Sequence, residues 1–187
     1  MSSAPDLDRE LFAPDGEFED EMEFEGEFEA APGGASAALL MEHLGSMAAQ
    51  AESEAEAEAF LGALVPLAAK ALPGMLRAAP SLIRGVAKVG RTLYRNPATR
   101  QLIRAVPQVV KRTAVDVARQ HASGRPLTTT MATRALARQT AKVLGSPDRR
   151  KSAINRCRVS DRRWHQQHGH PPGPQGSPRC PRCGRPR

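Results

Sequence analysis

The sequence predicts an all-α fold, in which short amphipathic helices separated by prolines form a small bundle. The clearest helix runs from Ser81 to Arg95, because at 100° per residue its apolar and cationic residues fall on opposite sides of the axis. The apolar side holds Leu82, Val86, Val89 and Leu93, and the cationic side holds Arg84, Lys88, Arg91 and Arg95. Proline suits the first turn of a helix and breaks an interior, so short helices are expected around the prolines at 66, 73, 80, 97 and 107.

The other helices are predicted from propensity and from end signals. The segment from Ala35 to Leu64 is predicted as one helix, because it is rich in Ala, Leu, Met and Glu. Asn96-Pro97 is typical of a helix start, with Asn as the N-cap and Pro at the first helical position. Pro107 is expected to kink the following helix or to begin a new one.

Two further helices complete the predicted bundle. A threonine within residues 127–131 caps the first of them and Gly145 ends it. Ser146-Pro147-Asp148 begins the second, which fades at Gly169. The predicted organisation is therefore an acidic leader at 1–35, a basic helical domain at 36–168 and a flexible tail at 169–187.

The acidic leader is predicted to be disordered, since its hydrophobicity is low and its charge is high. Within it, the segment EFEDEMEFEGEFE places Phe18, Met22, Phe24 and Phe28 at even positions and acids at most odd positions. This period of two gives an extended segment one apolar edge and one acidic edge. Such a segment could dock on a basic, apolar surface of the same chain, or it could serve as a solubilising tail.

Opposite charges are separated along the chain. Residues 1–60 contain 17 of the 20 acidic residues and a single basic residue, Arg9, whereas residues 61–187 contain 26 basic and three acidic residues. The formal charges of the two parts are −16 and +23, and the whole chain carries +7. A body this basic binds polyanions unless something covers it. The alternative is a solvated basic surface without a specific partner.

The leading hypothesis is a non-enzymatic protein whose basic helices bind a polyanion, either nucleic acid or an anionic surface. The acidic leader would act as an intramolecular mimic of that ligand. Trp164 could stack on an unpaired base, but no helix-turn-helix or RNA-binding signature is present, so specific base reading is not expected. The candidate polyanion-binding residues are Arg84, Lys88, Arg91, Arg95, Arg100, Arg104, Lys111, Arg134, Arg138 and Lys142.

Other protein classes fit parts of the same pattern. Cationic amphipathic helices also bind anionic lipid, so a membrane-active protein is an alternative. An adaptor whose helices only pack on one another is a third.

The C-terminal tail carries a candidate zinc site. Cys180 and Cys183 have C-x2-C spacing, which lets two thiolates reach one tetrahedral Zn²⁺. A zinc ion needs further ligands, and the tail also allows free thiols or a reversible disulfide instead. The nearest further donors are His165 and His168, with His170, Cys157 or a second chain as substitutes.

An enzyme is not expected, because the basic body holds only three isolated aspartates and no glycine-rich phosphate loop. A small-molecule substrate is therefore not expected either, and the oligomeric state stays open. The first 30 residues lack the positive start and apolar core of a signal peptide. The segment from Phe60 to Leu76 is short for a membrane span and is interrupted by Lys70. A cytoplasmic location is expected, with export without a signal peptide as the alternative.

Five segments together resemble a group of uncharacterised bacterial proteins with repetitive Glu/Phe leaders: EFEGEFE, AEAEAFLGALVPLAAK, RNPATRQLIRAVP, LARQTAKVLG and CPRCG. The resemblance covers most of the chain. It implies a bacterial origin, but no activity and no functional residue. An association of such leaders with exported or injected cargo makes a delivered cargo protein, with the leader as a recognition or solubility tag, a further alternative.

Overall fold

The computed structural model describes residues 26–168, which form a helical bundle without β-strands. This confirms the predicted all-α class. The leader residues 1–25 and the tail residues 169–187 lie outside the described part, and so do the predictions made for them. The α-helices are α1 (Gly34–Gln50), α2 (Glu54–Gly62), α3 (Leu64–Ala71), α4 (Ala79–Arg95), α5 (Val106–Ala122), α6 (Thr129–Gly145) and α7 (Pro147–His168), and two 3₁₀ helices, Pro73–Ala78 and Arg100–Ala105, precede α4 and α5.

Local sequence signals account for several helix starts. The Ser53 hydroxyl accepts a hydrogen bond from the backbone N–H of Glu56 at 3.2 Å and caps α2. The Thr128 hydroxyl accepts one from the N–H of Met131 at 3.1 Å and caps α6. Such caps satisfy N–H groups that lack an intrahelical partner. Prolines lie in the first turn of α4, α5 and α7. For Pro107 the prediction allows either a kink or a new helix, and the structure has a new helix, α5.

The predicted helix from Ala35 to Leu64 is divided at Ala51. There the backbone leaves the helical conformation, with φ −54° and ψ 143°. The carbonyl of Ala51 accepts hydrogen bonds from the Tyr94 hydroxyl, at 3.1 Å, and from the Arg100 guanidinium. These donors come from α4 and the second 3₁₀ helix, so the helix propensity of the Ala/Glu run could not predict the break.

The chain after Asn96 also differs from the prediction that a helix begins at Pro97. The Asn96 side-chain oxygen accepts a hydrogen bond from the N–H of Ala98 at 3.0 Å, which forms a turn. A 3₁₀ helix follows, and α-helical structure begins only at Val106. Asn96, the predicted N-cap, therefore begins a turn that precedes α5, and it does not begin α5.

Helix α5 lies at the centre of the bundle. It contacts α1, α3, α4 and α6, and both 3₁₀ helices pack on it. Its residues are buried from Val106 to Val115, polar ones included. A helix that is covered on all sides takes its stability from packing rather than from one amphipathic face. The charged residues of this buried part, Lys111 and Arg112, must therefore find partners inside the bundle.

The folded bundle begins earlier than the predicted boundary at residue 36. Residues 26–30 form a helical turn, and the Phe28 side chain is fully buried in the core. Gly33 has φ +74°, a left-handed conformation that favours glycine, and it leads the chain directly into α1. A Cβ on Gly34 would lie 2.0 Å from the Phe28 carbonyl oxygen. The last phenylalanine of the Glu/Phe segment thus belongs to the folded domain.

Few large apolar side chains of the described residues reach the surface. Leu76 is 63% exposed and Val159 is 42% exposed. The apolar positions of the amphipathic helices are otherwise directed into the core. Between residues 26 and 168, no helix combines the length and the apolar composition that crossing a bilayer requires.

Candidate functional site

The predicted cationic side of α4 lies on the surface of the bundle. On the opposite side of the helix, Leu82 and Val86 are each 1% exposed and contribute to the core. The two-sided helix predicted from periodicity is therefore present, with one side packed and the other in solvent. We call its exposed cations the α4 cationic face, which consists of Arg84, Lys88, Arg91 and Arg95.

Acids of α2 pair with half of this face. Arg91 Nε lies 2.7 Å from Glu58 Oε1 and 3.2 Å from Glu54 Oε1, and Arg95 Nε lies 3.2 Å from Glu54 Oε2. The hydrogen bond from Arg91 holds the pKa of Glu58 below its ordinary value, and the same contact raises the pKa of Arg91. These side chains are partly exposed, so water and salt weaken each pair.

Arg84 and Lys88 form the other half of the α4 cationic face. Both side chains are exposed, and neither has an ion-pair partner among residues 26–168. The face therefore presents two open cations followed by two that are held by α2.

Lys111 is not on the surface, which corrects its prediction as a polyanion-binding residue. Its side chain is 6% exposed, and its Nζ lies 2.7 Å from Glu42 Oε1 of α1. The cause is its place in the part of α5, Val106 to Val115, that is buried among the neighbouring helices. The pair joins α5 to α1 inside the bundle and is inaccessible to a large anion.

Arg100 and Arg104 are half-buried and serve local structure. The Arg100 guanidinium carbon lies 4.3 Å from the centre of the Tyr94 ring, and the group donates to the Tyr94 hydroxyl at 3.0 Å and to the Ala51 carbonyl. Arg104 donates to the Gln101 side-chain oxygen. Their positions favour a structural role at the break between α1 and α2 and along the second 3₁₀ helix.

The three cations predicted on α6 have different surroundings. Arg134 is exposed. Arg138 Nη2 donates to Asp116 Oδ2 of α5 at 2.9 Å, and Lys142 is half-buried. Of these three cations, Arg134 is therefore the most accessible to an anion.

The histidines of the predicted zinc site do not converge. His165 is buried at 4% exposure, whereas His168 is exposed. The His168 ring stacks on Trp164, with ring centres 3.7 Å apart, and its Nδ1 lies 3.2 Å from the Trp164 carbonyl oxygen. Cys180 and Cys183 lie outside the described residues. In the structure, His165 and His168 are therefore not positioned to bind the same metal ion.

His165 instead belongs to a cluster with His43 of α1, which is partly buried, and Asp161 of α7, which is buried. His43 Nδ1 lies 2.7 Å from Asp161 Oδ1, and His165 Nε2 lies 3.6 Å from the same oxygen. One donor atom from each residue lies within 4.8 Å of the other two. The Ser46 hydroxyl donates to the second oxygen, Asp161 Oδ2, at 3.0 Å. We call these three titratable residues the His–Asp–His cluster.

Aromatic rings fix one side of the cluster. Trp164 stacks on His43 with ring centres 5.2 Å apart and planes 15° apart, and His43 meets His165 edge to face at 5.2 Å. The predicted availability of Trp164 for base stacking is reduced, because its ring already stacks with the His43 and His168 rings.

The cluster does not have the geometry of a catalytic triad. The Ser46 hydroxyl donates to Asp161 rather than to an imidazole, and the Ser46 residue is 2% exposed. Nucleophilic catalysis requires a base within hydrogen-bond reach of the hydroxyl and access for the substrate. The arrangement is suited instead to metal coordination or to sharing protons between two imidazoles and one carboxylate.

Sequence reasoning missed His43 and Asp161. One signal was visible, because Asp161 and His165 are four residues apart and lie on the same face of a helix. His43 is 118 residues away from Asp161 and becomes a neighbour only when α1 packs on α7.

Comparison of the chain with known protein families, with characterised proteins and with solved structures finds no match.

Proposed function

We propose that this protein binds the phosphate backbone of nucleic acid through the α4 cationic face. The observation that supports the proposal most directly is the row of four exposed cations on one helix, which spans about 17 Å at 1.5 Å per residue. Contacts to phosphates need closely spaced cations and carry no base information. Recognition of sequence is therefore not part of the proposed function.

Nucleic acid is favoured over a membrane because the apolar side of α4 is already buried in the bundle. A cationic amphipathic helix binds a bilayer by burying its apolar side in lipid. In α4 that side, including Leu82 and Val86, packs in the core of the bundle. Membrane insertion would require the bundle to open, whereas a phosphate backbone needs only the cations.

The acids of α2 give the face a built-in competitor. Glu54 and Glu58 hold Arg91 and Arg95 in the free protein. A phosphate must replace these carboxylates to use the whole face, so Arg84 and Lys88 make the first contacts. The expected result is weak binding that depends strongly on salt.

The experiment measures binding of a short fluorescent DNA duplex to the full chain by anisotropy, at about 50 mM and about 200 mM salt. The Arg84→Gln/Lys88→Gln variant should bind more weakly, and the slope of log affinity against log salt should fall by about two. The matched control is Lys70→Gln/Arg125→Gln, which removes two exposed cations from other segments.

A smaller effect in the control supports the α4 cationic face. Equal losses in the two variants would mean that overall charge, and not this face, attracts the DNA. Leakage of anionic vesicles without DNA binding would favour the membrane-active alternative.

We further propose that the acidic leader docks in the groove between α1 and α7. The groove has a volume of about 810 Å³, and its lining includes Leu39, Val159 and Arg163, with Glu29 among the same residues. Just before Glu29, Glu27 Oε2 lies 2.7 Å from Arg119 Nε, and Phe28 is buried. Upstream of this anchor the Glu/Phe alternation supplies the apolar and anionic groups that such a lining would bind.

A variant that keeps the charge tests this docking. Changing Phe18, Met22 and Phe24 to Ser removes the apolar edge of the leader but leaves its acids in place. Docking in this groove covers Arg163 and not the α4 cationic face, so the variant binds the duplex more tightly only if cations of the groove add contacts to phosphate. Unchanged affinity would remove the masking role of the leader and leave the α4 cationic face as a separate question.

A further inference from the structure

We propose that the His–Asp–His cluster is a binding site for a divalent transition-metal ion, with Zn²⁺ as the probe. The donors are one nitrogen each of His43 and His165 and one oxygen of Asp161, and these atoms lie within 4.8 Å of one another. They come from α1 and α7, so a bound ion would tie the first long helix of the bundle to the last. This inference is independent of the proposed binding of nucleic acid.

Two of the three donor separations are close to those around a coordinated ion, and all three are within 4.8 Å. With metal–ligand bonds of about 2.0–2.1 Å, two ligands of a tetrahedral zinc ion are about 3.3 Å apart. The distances from Asp161 Oδ1 to the nitrogens of His43 and His165 are 2.7 and 3.6 Å. Each differs from the ideal separation by well under 1 Å, which side-chain rotation can supply.

The ligand types favour a zinc-like ion over calcium or magnesium. Imidazole nitrogens bind Zn²⁺ and its first-row neighbours, whereas Ca²⁺ and Mg²⁺ prefer oxygen ligands. His165 and Asp161 are 4% and 5% exposed. Little water reaches Asp161 and His165, so water competes weakly with an ion for these two donors.

Neighbouring side chains orient the donors. The Ser46 hydroxyl donates to Asp161 Oδ2 at 3.0 Å, which leaves Oδ1 directed at both imidazoles. The stacked Trp164 ring restricts rotation of His43. Outer groups of this kind raise metal affinity by about 10- to 100-fold in known sites.

Three protein ligands leave one position of a tetrahedral ion open. Water can fill that position, and so can a thiolate of Cys180 or Cys183. The 12 residues from His168 to Cys180 can span up to about 40 Å when extended. The tail is therefore long enough for Cys180 or Cys183 to reach the open position.

The test titrates the chelator-treated full chain with Zn²⁺ against a chromophoric competitor, and with Co²⁺ followed by its visible absorption. We expect one ion per chain. His43→Gln and Asp161→Asn should each weaken Zn²⁺ binding by at least about 10-fold. His168→Gln is the matched control, because that exposed histidine lies outside the cluster, and its affinity should match that of the wild-type chain.

If circular dichroism shows that a ligand variant has lost helical structure, Ser46→Ala replaces it in the test. It keeps all three ligands, and we expect it to weaken Zn²⁺ binding by about 10-fold. In the wild-type Co²⁺ complex, thiolate-to-metal absorption would assign the fourth position to the tail, and its absence would assign it to water. Both results support the site when the His43 variant loses binding.

Two results would overturn the proposal. One is a wild-type chain that binds no Zn²⁺ above the level of the His43→Gln variant. The other is binding that Cys180→Ser/Cys183→Ser abolishes while His43→Gln leaves it unchanged, because the ion would then belong to the tail alone.

Discussion

The ammonium group of Lys111 lies 2.7 Å from a carboxylate oxygen of Glu42 inside the bundle. The two side chains are 6% and 2% exposed. The pair joins the central helix α5 to α1, where water does not solvate either charge. Removing one partner leaves a buried charge without compensation, which costs more than the pair itself contributes.

We expect Glu42→Leu and Lys111→Met each to lower the free energy of unfolding by about 3–5 kcal/mol. The double variant Glu42→Leu/Lys111→Met should recover most of this loss, because it removes both charges. Urea unfolding followed by circular dichroism gives the four free energies of the cycle. Additive losses in the double variant would contradict a direct interaction.

Gly45 of α1 lies against the Pro107 ring of α5. A Cβ on Gly45 would lie 2.3 Å from Cγ of the Pro107 ring, which cannot rotate away. Gly45→Ala should therefore lower the free energy of unfolding by about 1–3 kcal/mol. At Gly62, a new Cβ would meet nothing within 4 Å. Gly62→Ala is the matched control, and we expect it to be neutral or stabilising by up to about 1 kcal/mol.

Acid should release the α4 cationic face from α2. The pKa of Glu58 is lowered by its hydrogen bond from Arg91, so the contact is present above the ordinary carboxyl range and is lost as pH falls through the lowered value. At pH 7, Glu58→Gln should bind the DNA duplex about two- to five-fold more tightly than the wild-type chain. At a pH well below the ordinary carboxyl range the two affinities should converge, because the wild-type Glu58 carboxyl is then also neutral.

Anisotropy titrations of both proteins across this pH range give the ratio of affinities. Circular dichroism at each pH shows whether the bundle remains folded. A ratio that stays constant as pH falls would contradict competition between Glu58 and phosphate for Arg91.

Cys157 should be unreactive in the folded protein. It is fully buried, its thiol donates to the Glu42 carbonyl at 3.1 Å, and burial raises its pKa. Thiolate is the reactive form. In the Cys180→Ser/Cys183→Ser variant, labelling of the remaining thiol by a maleimide should be on the order of 1,000-fold slower in native buffer than in denaturing urea. Similar rates would mean that α7 is not packed on α1.

Helix periodicity and helix ends were readable from the sequence. The two faces of α4 follow from the spacing of Leu82 and Arg84 and their successors, and each face is where that spacing predicts it. The cap at Thr128 and the start at Pro147 were also predictable, because capping and proline geometry involve residues within one helical turn.

Contacts between distant helices were decided by the tertiary structure. Lys111 carries the same charge as the exposed cations, but the packing around α5 buries it against Glu42. His43 and Asp161 are 118 residues apart, and no sequence pattern links them. The packing of α1 on α7 brings them together. The sequence alone determined which residues share a helix face, because that depends on backbone geometry within a few turns. Only the tertiary structure decided which faces meet, because helix packing depends on how all the side-chain surfaces fit together.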